Sequence, residues 1–241
     1  MDKLFIVMPA YNEEANIRQV VSDWYPMVEM AGGESRLVIF DDGSKDSTYD
    51  LTTRLREEYP KLTAITKPNS GHGATCLFAY RYAIEEEADY IFQTDSDGQT
   101  LPEFFPAFWE ERGEYDMVIG SRETREDGLF RLIITRSLRL VIWLFFGVFV
   151  RDANLAYRLM KAPALKEAIE LIPSDFNLSN VLVSVIFAKK GLRVKSIPVK
   201  VRPRQGGVNS VFAPQIIKIG FRGVRDLFNF RKTMKKELKG I

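Results

Sequence analysis

The sequence predicts a doubly wound α/β fold, a mostly parallel sheet with helices on both faces. Three observations carry this expectation. Short, near-continuous apolar runs recur through the first half of the chain, as strands buried on both faces require. Segments with helical spacing of apolar residues lie between them, giving a β-α-β-α order. The polar motifs fall just past the apolar runs, at the carboxyl ends of the expected strands, where such sheets collect ligands.

Taken in order, residues 4–8 (Leu-Phe-Ile-Val-Met) make the first strand, which Pro9 is expected to end. A helix over 13–30 follows, with Asn12 as its N-cap. Residues 37–40 form the second strand, and a helix over 47–59 starts from Asp46 or Ser47. The third strand is 62–66, and a helix over 73–86 leaves the loop Asn69-Ser70-Gly71-His72-Gly73. Strands at 90–93 and 117–119 complete the first half. The second half reads as helices over 131–149, 164–170 and 178–189, and strands at 192–195 and 199–202 on either side of Pro198. A last helix is expected over 214–228, with a basic tail from 231 to 241. The expected division is one main domain over 1–211, in two halves (1–120 and 121–211), then a basic amphipathic segment over 212–241.

Composition narrows the class. With 46% apolar and 27% charged residues, the chain can bury a substantial core. The net charge is only +2, but its distribution is uneven: the first hundred or so residues lean acidic and the stretch from Arg202 to Lys239 is basic. The single cysteine, Cys76, excludes an internal disulfide framework and reads as a small apolar helix residue. The N-terminal apolar run is too short for a secretory signal. The longest apolar run, Leu140 to Val150, is well short of the roughly 20 residues a spanning helix needs.

Asp95-Ser96-Asp97 is the most informative motif. It places two carboxylates at i and i+2 past a buried strand, a compact pair of hard oxygen ligands. Such a pair suits Mg²⁺ or Mn²⁺ that also holds a substrate diphosphate. A plain turn is the competing reading. A Ca²⁺ loop is excluded because Pro106 stands where its bidentate Glu belongs. In Pro9-Ala10-Tyr11-Asn12-Glu13, Tyr11 suits stacking on a base and Glu13 suits a ribose or base edge. Asp41 and Asp42, adjacent at a strand end, are expected to hold a base N–H or a sugar hydroxyl. The glycine loop enters a helix whose N–H groups attract anions, and His72, the only histidine, reads as an ordinary loop residue.

This series resembles the family 2 glycosyltransferases of the GT-A fold. The resemblance rests on Val7-Met8-Pro9-Ala10-Tyr11-Asn12-Glu13-Glu14, on Asp41 through Thr48, on Asn69 through Gly73 and on Asp95-Ser96-Asp97-Gly98-Gln99. It continues through Gly120-Ser121-Arg122, Thr135-Arg136-Ser137, Asp152-Ala153-Asn154 with Tyr157-Arg158-Leu159, and Ile197-Pro198-Val199, and ends near Arg204 to Ser210. Within the family the chain is most similar to dolichyl- or polyprenyl-phosphate sugar synthases. The resemblance implies that Pro9, Ala10, Tyr11, Glu13 and Asp42 line the donor-nucleotide pocket, with Gly73 beside them. It implies a metal motif of Asp95 and Asp97, with Gln99 as an additional ligand, and Arg204 at the donor diphosphate. Arg122, Arg136 and Ser137 match positions that bind the acceptor phosphate. Two positions depart from the pattern: His72 stands where lysine is usual, and Asn209-Ser210 replaces a common Ser-Lys.

Members that act on hydroxyls carry a Glu-Asp pair opening a late helix. The corresponding stretch, Ser174 to Asn180, has Asp175 but no such pair. A phosphate acceptor is already anionic and needs no base, so the implied reaction is inverting transfer from a UDP- or GDP-sugar to a polyprenyl phosphate. Asp175 and Asp152 remain the bases available for a hydroxyl of a lipid-linked glycan. The expected setting is the cytoplasmic face of a membrane. There the arginines and aromatics of the 131–149 helix and the basic C-terminal segment meet anionic lipids, alone, as a homo-oligomer or with a membrane-protein partner. For the 131–149 helix, docking on the sheet is an equally weighted reading. A non-catalytic nucleotide-sugar-binding module and a nucleotidyltransferase are weaker readings. A nucleic-acid partner is not expected.

Overall fold

The computed structural model describes residues 2–122, 128–150, 152–203, 206 and 222–232, and of residues 128–135 the backbone only. Seven strands form one sheet: β1 (Leu4–Ala10), β2 (Arg36–Asp41), β3 (Leu62–Thr66), β4 (Tyr90–Thr94), β5 (Met117–Arg122), β6 (Tyr157–Lys161) and β7 (Val194–Val199). The helices are α1 (Ile17–Ala31), α2 (Thr48–Leu55), α3 (His72–Glu85), α4 (Phe105–Glu110), α5 (Gly128–Phe146), α6 (Ala162–Ile169), α7 (Ser179–Lys189) and α8 (residues 222–232). The strand order is β3-β2-β1-β4-β6-β5-β7. Every pairing is parallel except the two made by β6, which runs against β4 and β5.

Strand periodicity divides the core into two layers. Leu4, Ile6 and Met8 of β1 pack with α1, Leu37, Ile39, Phe92 and the aromatics of α4. Phe5 and Val7 face the other way, onto α3, α6, α7 and buried residues of α5. Helix α8 closes this second layer with Leu227 and Phe230, both buried. Beneath the end of β4, Phe92 meets Trp24, Phe105 and Tyr157 at ring-centroid distances of 5.3, 5.0 and 4.8 Å.

The elements depart from expectation in a few places, each with a physical reason. Strand β6 was not anticipated, because Arg158 and Lys161 interrupt its apolar run. The two strands expected around Pro198 are one strand with Pro198 inside it. β7 pairs only with β5 at the sheet edge, where a missing N–H is tolerated. β1 likewise runs through Pro9, which stands beyond the last β4 pair, Val7 with Gln93. Helix α1 begins at Ile17 rather than at Glu13. Asn12, the expected cap, has φ +55° and braces a neighbouring loop instead. Asp46, not Ser47, takes the first N–H of α2, that of Thr48, at 3.0 Å. Of the helix expected over 214–228, residues 214–221 lie outside the described residues.

The Phe92 cluster holds the strand that delivers the Asp95 motif. Phe92→Ala is expected to destabilise the fold by about 3–5 kcal/mol, measured as a lowered midpoint in urea unfolding.

Candidate active site

β1 lies between β2 and β4, all three parallel, so their outgoing loops emerge side by side. A cavity of about 380 Å³ opens there, lined by Pro9, Ala10, Tyr11, Glu13, Asp42, Asn69, Gly71, His72, Thr75, Asp95, Ser96 and Asp97. Main-chain and side-chain hydrogen bonds lace the loops after β1 and β2. Asn12 N–H donates to Ser44 Oγ at 2.9 Å, and Lys45 N–H donates back to Asn12 Oδ1 at 2.8 Å. Glu13 N–H donates to Thr48 Oγ1 (2.8 Å), and Ser47 N–H to Glu14 Oε2 (3.0 Å). The loop after β4 is tied in by Ser96, whose hydroxyl donates to Pro9 O at 2.7 Å.

Asp41, which ends β2, and Asp42 beyond it both accept hydrogen bonds from the chain itself. Asp41 accepts from Thr66 Oγ1 at 2.7 Å and from Ser44 N–H at 3.3 Å. Asp42 accepts from the Ser70 and Gly71 N–H groups, both at 2.9 Å, and from Lys67 Nζ. The anion expected at the start of α3 is therefore the Asp42 carboxylate. Burial pushes the Asp42 carboxyl up, but the bonds from Lys67, Ser70 and Thr75 outweigh it and hold the group below its ordinary value. Gly43 makes the turn that allows this. Its φ is +68°, and an added Cβ would stand 3.0 Å from the Asn69 backbone nitrogen.

Asp95 and Asp97 both line the cavity. Asp95 Oδ1 lies 2.9 Å from His72 Nε2 and accepts from Gln93 Nε2 at 3.3 Å. Asp97 Oδ1 accepts the Gln99 N–H at 3.0 Å, while Gln99 is not part of the cavity lining. His72, read from sequence as an ordinary loop residue, opens α3 and faces Asp95. Cys76 is buried one helical turn on, with Sγ 3.8 Å from His72 Nδ1. Cys76 and Asp95 beside it raise the imidazole pKa well above its usual range.

The other expected site residues are spread more widely. Gly73 is packed away from the cavity: a Cβ there would lie 2.2 Å from the Asn177 carbonyl oxygen, so it serves contact between α3 and the 174–180 loop. Arg122 ends β5, and Arg136 and Ser137 are exposed on α5; none of the three lines the cavity. Arg204 lies outside the described residues. Among described residues near it in sequence, Arg202 N–H donates to Gln99 O at 2.9 Å, Arg202 Nε to Gly98 O at 2.6 Å, and Asn16 Nδ2 to Gly206 O at 3.1 Å. Asn16 also donates to Glu13 Oε2 at 2.7 Å. Sequence reasoning missed Lys67 and Thr75, and named Asn69 only as part of the glycine loop. Their signal was position alone: a polar stretch past a third parallel strand that ends level with the other two.

Residues 5–166 match the family model described as Glycosyl transferase family 2. The chain belongs to that family. It is a glycosyltransferase, and the cavity is where the family assignment and the loop geometry meet. This family 2 glycosyltransferase is 28% identical over 210 residues to an uncharacterized protein from Methanocaldococcus jannaschii, which covers 83% of this chain and 81% of that one. It is 24% identical over 208 residues, 85% of its length, to the undecaprenyl-phosphate 4-deoxy-4-formamido-L-arabinose transferase of Salmonella paratyphi B, and spans 61% of that protein. Among solved structures it is similar to glucosyl-3-phosphoglycerate synthase from Mycobacterium tuberculosis in complex with Mn²⁺, UDP-glucose and phosphoglyceric acid. That match has a TM-score of 0.68 at 17% identity and covers 96% of this chain and 80% of that one. At such identity the likeness shows the fold, which is the GT-A fold of glycosyltransferases.

Asp42 gives a pH prediction. Its folded-state pKa lies below the ordinary value of 3.8, so it stabilises the fold above that pH, and the contribution is lost as pH falls through the folded-state value. Asp42→Asn is therefore expected to be less stable than the parent at neutral pH. The gap should close below about pH 4, as followed by urea unfolding across a pH series.

Proposed function

We propose that this glycosyltransferase moves a sugar, with inversion, from a nucleotide-diphospho-sugar to a polyprenyl phosphate at the cytoplasmic face of a membrane. The observation that carries the reading is the shared cavity of Pro9, Ala10, Tyr11, Glu13 and Asp42 with Asp95 and Asp97. The name of the Salmonella relative supports the acceptor, and the Mn²⁺ and UDP-glucose of the mycobacterial structure support the donor and metal.

The donor set fits a hard divalent cation. Among the described residues no three His, Cys, Asp or Glu side chains are grouped as a protein-only metal cage. Two carboxylates facing a cavity match Mg²⁺ or Mn²⁺, which takes its remaining oxygens from substrate phosphate and water. Asp95 and Asp97 would hold the ion, and when bound it supplies charge neutralisation to the departing nucleoside diphosphate. Tyr11 and Asp42 border the nucleotide, and Arg204 is the proposed contact to the diphosphate. A phosphate oxygen of the acceptor attacks the anomeric carbon as the bond to the diphosphate oxygen breaks. No proton has to be removed from that nucleophile. Asp175 is exposed and Asp152 is buried, and neither lines the cavity, which supports a reaction without a base. Arg122, Arg136 and Ser137 are the proposed contacts to the acceptor phosphate.

The membrane reading rests on the outer surface of α5. Ile142 and Phe146 dock into the core, while Leu140, Trp143, Leu144 and Phe149 are exposed. Docking on the core thus uses one side of the helix and leaves an apolar side exposed. Phe145 packs on exposed Phe228 of α8, and Lys232 Nζ lies 4.7 Å over the Phe228 ring. Arg136 of α5 and Arg222, Arg225 and Lys232 of α8 are also exposed. No helix among the described residues is long and apolar enough to cross a membrane. An apolar patch edged by basic groups suits an anionic bilayer surface.

Incubation with UDP- and GDP-sugars, Mg²⁺ or Mn²⁺ and a polyprenyl phosphate is expected to release nucleoside diphosphate and form a sugar-phospho-lipid, detected by mass. Asp97→Ala is expected to abolish the product. Donor turnover with sugar appearing only on a hydroxyl acceptor would overturn the phosphate reading. Separately, the protein is expected to sediment with phosphatidylglycerol vesicles and not with phosphatidylcholine vesicles. The double change Trp143→Ser and Leu144→Ser, and raised salt, should each weaken that binding.

A further inference from the structure

Behind the cavity wall lies a buried polar chain that the transfer chemistry does not use. It begins at Arg158 of β6, which is fully buried and surrounded by neutral oxygens. One terminal nitrogen donates to Asn180 O (2.9 Å) and Ser184 Oγ (3.3 Å), the other to Ala153 O (3.0 Å) and Leu155 O (2.9 Å). This fixes the first turn of α7, from which the Asn180 side chain reaches Tyr80 of α3 and Gln93 of β4. The Tyr80 hydroxyl donates to Asn180 Oδ1 at 3.0 Å and lies 3.5 Å from Gln93 Oε1. Asn180 Nδ2 donates to Gln93 Oε1 at 3.2 Å. With its carbonyl engaged, the Gln93 amide can present only its NH₂ group to Asp95, and it does so to Oδ1 at 3.3 Å.

The direction of these bonds is what matters. Tyr80 has one proton, and its shorter contact is to Asn180 Oδ1. That sets the Asn180 amide, which in turn sets the Gln93 amide. Four polar side chains from four separate elements converge on one carboxylate. Both bonds to Asp95, from Gln93 and His72, involve Oδ1. Among the described residues Oδ2 carries none, and Asp95 lines the cavity. An apolar core of the same shape would hold the helices together equally well. It would not choose which oxygen of Asp95 is tethered.

We propose that the chain Arg158–Asn180–Tyr80–Gln93 is the positioning apparatus of Asp95, tethering the carboxylate through Oδ1 so that Oδ2 is offered to the cation and donor. This rests on the reading of Asp95 as a metal-motif residue. Gln93, Asn180, Tyr80 and Arg158 are positioning residues, acting through Asp95 and not on substrate. They also join the two halves of the fold, because β6 and α7 thereby set the geometry of a donor-side carboxylate.

The test is Mn²⁺ binding by the full chain, read from the electron paramagnetic resonance signal of free Mn²⁺ with UDP or GDP present. Gln93→Leu keeps the side-chain volume and removes the tether. It is expected to weaken Mn²⁺ binding about tenfold or more, the range typical of residues that orient a metal ligand. Nucleotide affinity without metal should stay at the parental value, and kcat should recover at saturating Mn²⁺. Tyr80→Phe removes one hydroxyl and should shift Mn²⁺ affinity in the same direction by less; it decides the matter if Gln93→Leu fails to fold. Asp95→Asn separates the two readings. If it lowers Mn²⁺ affinity while Gln93→Leu and Tyr80→Phe bind as the parent does, the positioning proposal is wrong and the metal reading stands. If the parent binds no Mn²⁺ with either nucleotide, or Asp95→Asn leaves the affinity unchanged, the metal reading falls and this proposal with it.

Discussion

Parallel pairing of β1 with β2 on one side and β4 on the other is the constraint from which the site follows. Parallel strands send their outgoing loops to the same edge, so three segments distant in sequence are forced together. The registers set the heights. Ala10 pairs with Asp41 and Val7 with Gln93, which brings Pro9, Asp42 and Asp95 to the rim of one cavity. The short bonds between loops then remove the freedom that loops would otherwise keep. Ser96 grips Pro9 O, Asn12 and Ser44 clasp each other, and Asp42 gathers the start of α3. A site assembled this way has its polar groups oriented before substrate arrives, which is where the catalytic advantage of positioning lies.

One strand inserted against the grain supports that rim from both sides. Strand β6 is antiparallel to β4 and lies directly beside it. Its alternating side chains go to opposite layers. Tyr157 enters the aromatic cluster under Phe92 and bonds Leu101 O at 2.9 Å, while Arg158 enters the polar chain behind Gln93. Apolar contact and polar direction thus act on neighbouring residues of β4, one on each face. The electrostatics follow the same logic. Burial pushes the Arg158 guanidinium below its usual range, and the negative charges of Asp152 and Asp95 work against that shift. Asp42 has its counterion in Lys67. The acidic rim is therefore partly balanced by protein cations that the linear sequence keeps far away.

The far side of the molecule shows how one helix serves two environments. Helix α5 gives Ile142 and Phe146 to the core and keeps Trp143, Leu144 and Leu140 outside. α8 covers part of it through Leu227 and Phe230 and adds its own basic groups to the exposed rim. The segment that carries the charge asymmetry of the sequence is in this way also part of the core.

The strands and helices of the first half were legible because a parallel sheet demands continuous apolar runs, and those runs need no partner to be recognised. The motifs Pro9 to Glu13 and Asp95 to Asp97 were legible for the same reason: they follow such runs directly. Strand β6 was not, because an arginine that is buried by bonding to carbonyls of α7 and of the segment before β6 looks, in sequence, like a surface residue. Pro198 misled for a related reason, since only the sheet order reveals an edge. The packing of Gly73 against the 174–178 loop and the bonds by which Asp42 holds its neighbours were also hidden. Which backbone N–H groups a carboxylate meets depends on where a loop 28 residues later comes to rest. Sequence alone thus determined the class of fold, the family and the place of the Asp95-Ser96-Asp97 motif past a buried strand, all set by local periodicity and short motifs. Tertiary structure decided which polar groups are spent on holding the loops and which face the cavity, because hydrogen-bond satisfaction is settled only when distant segments pack together.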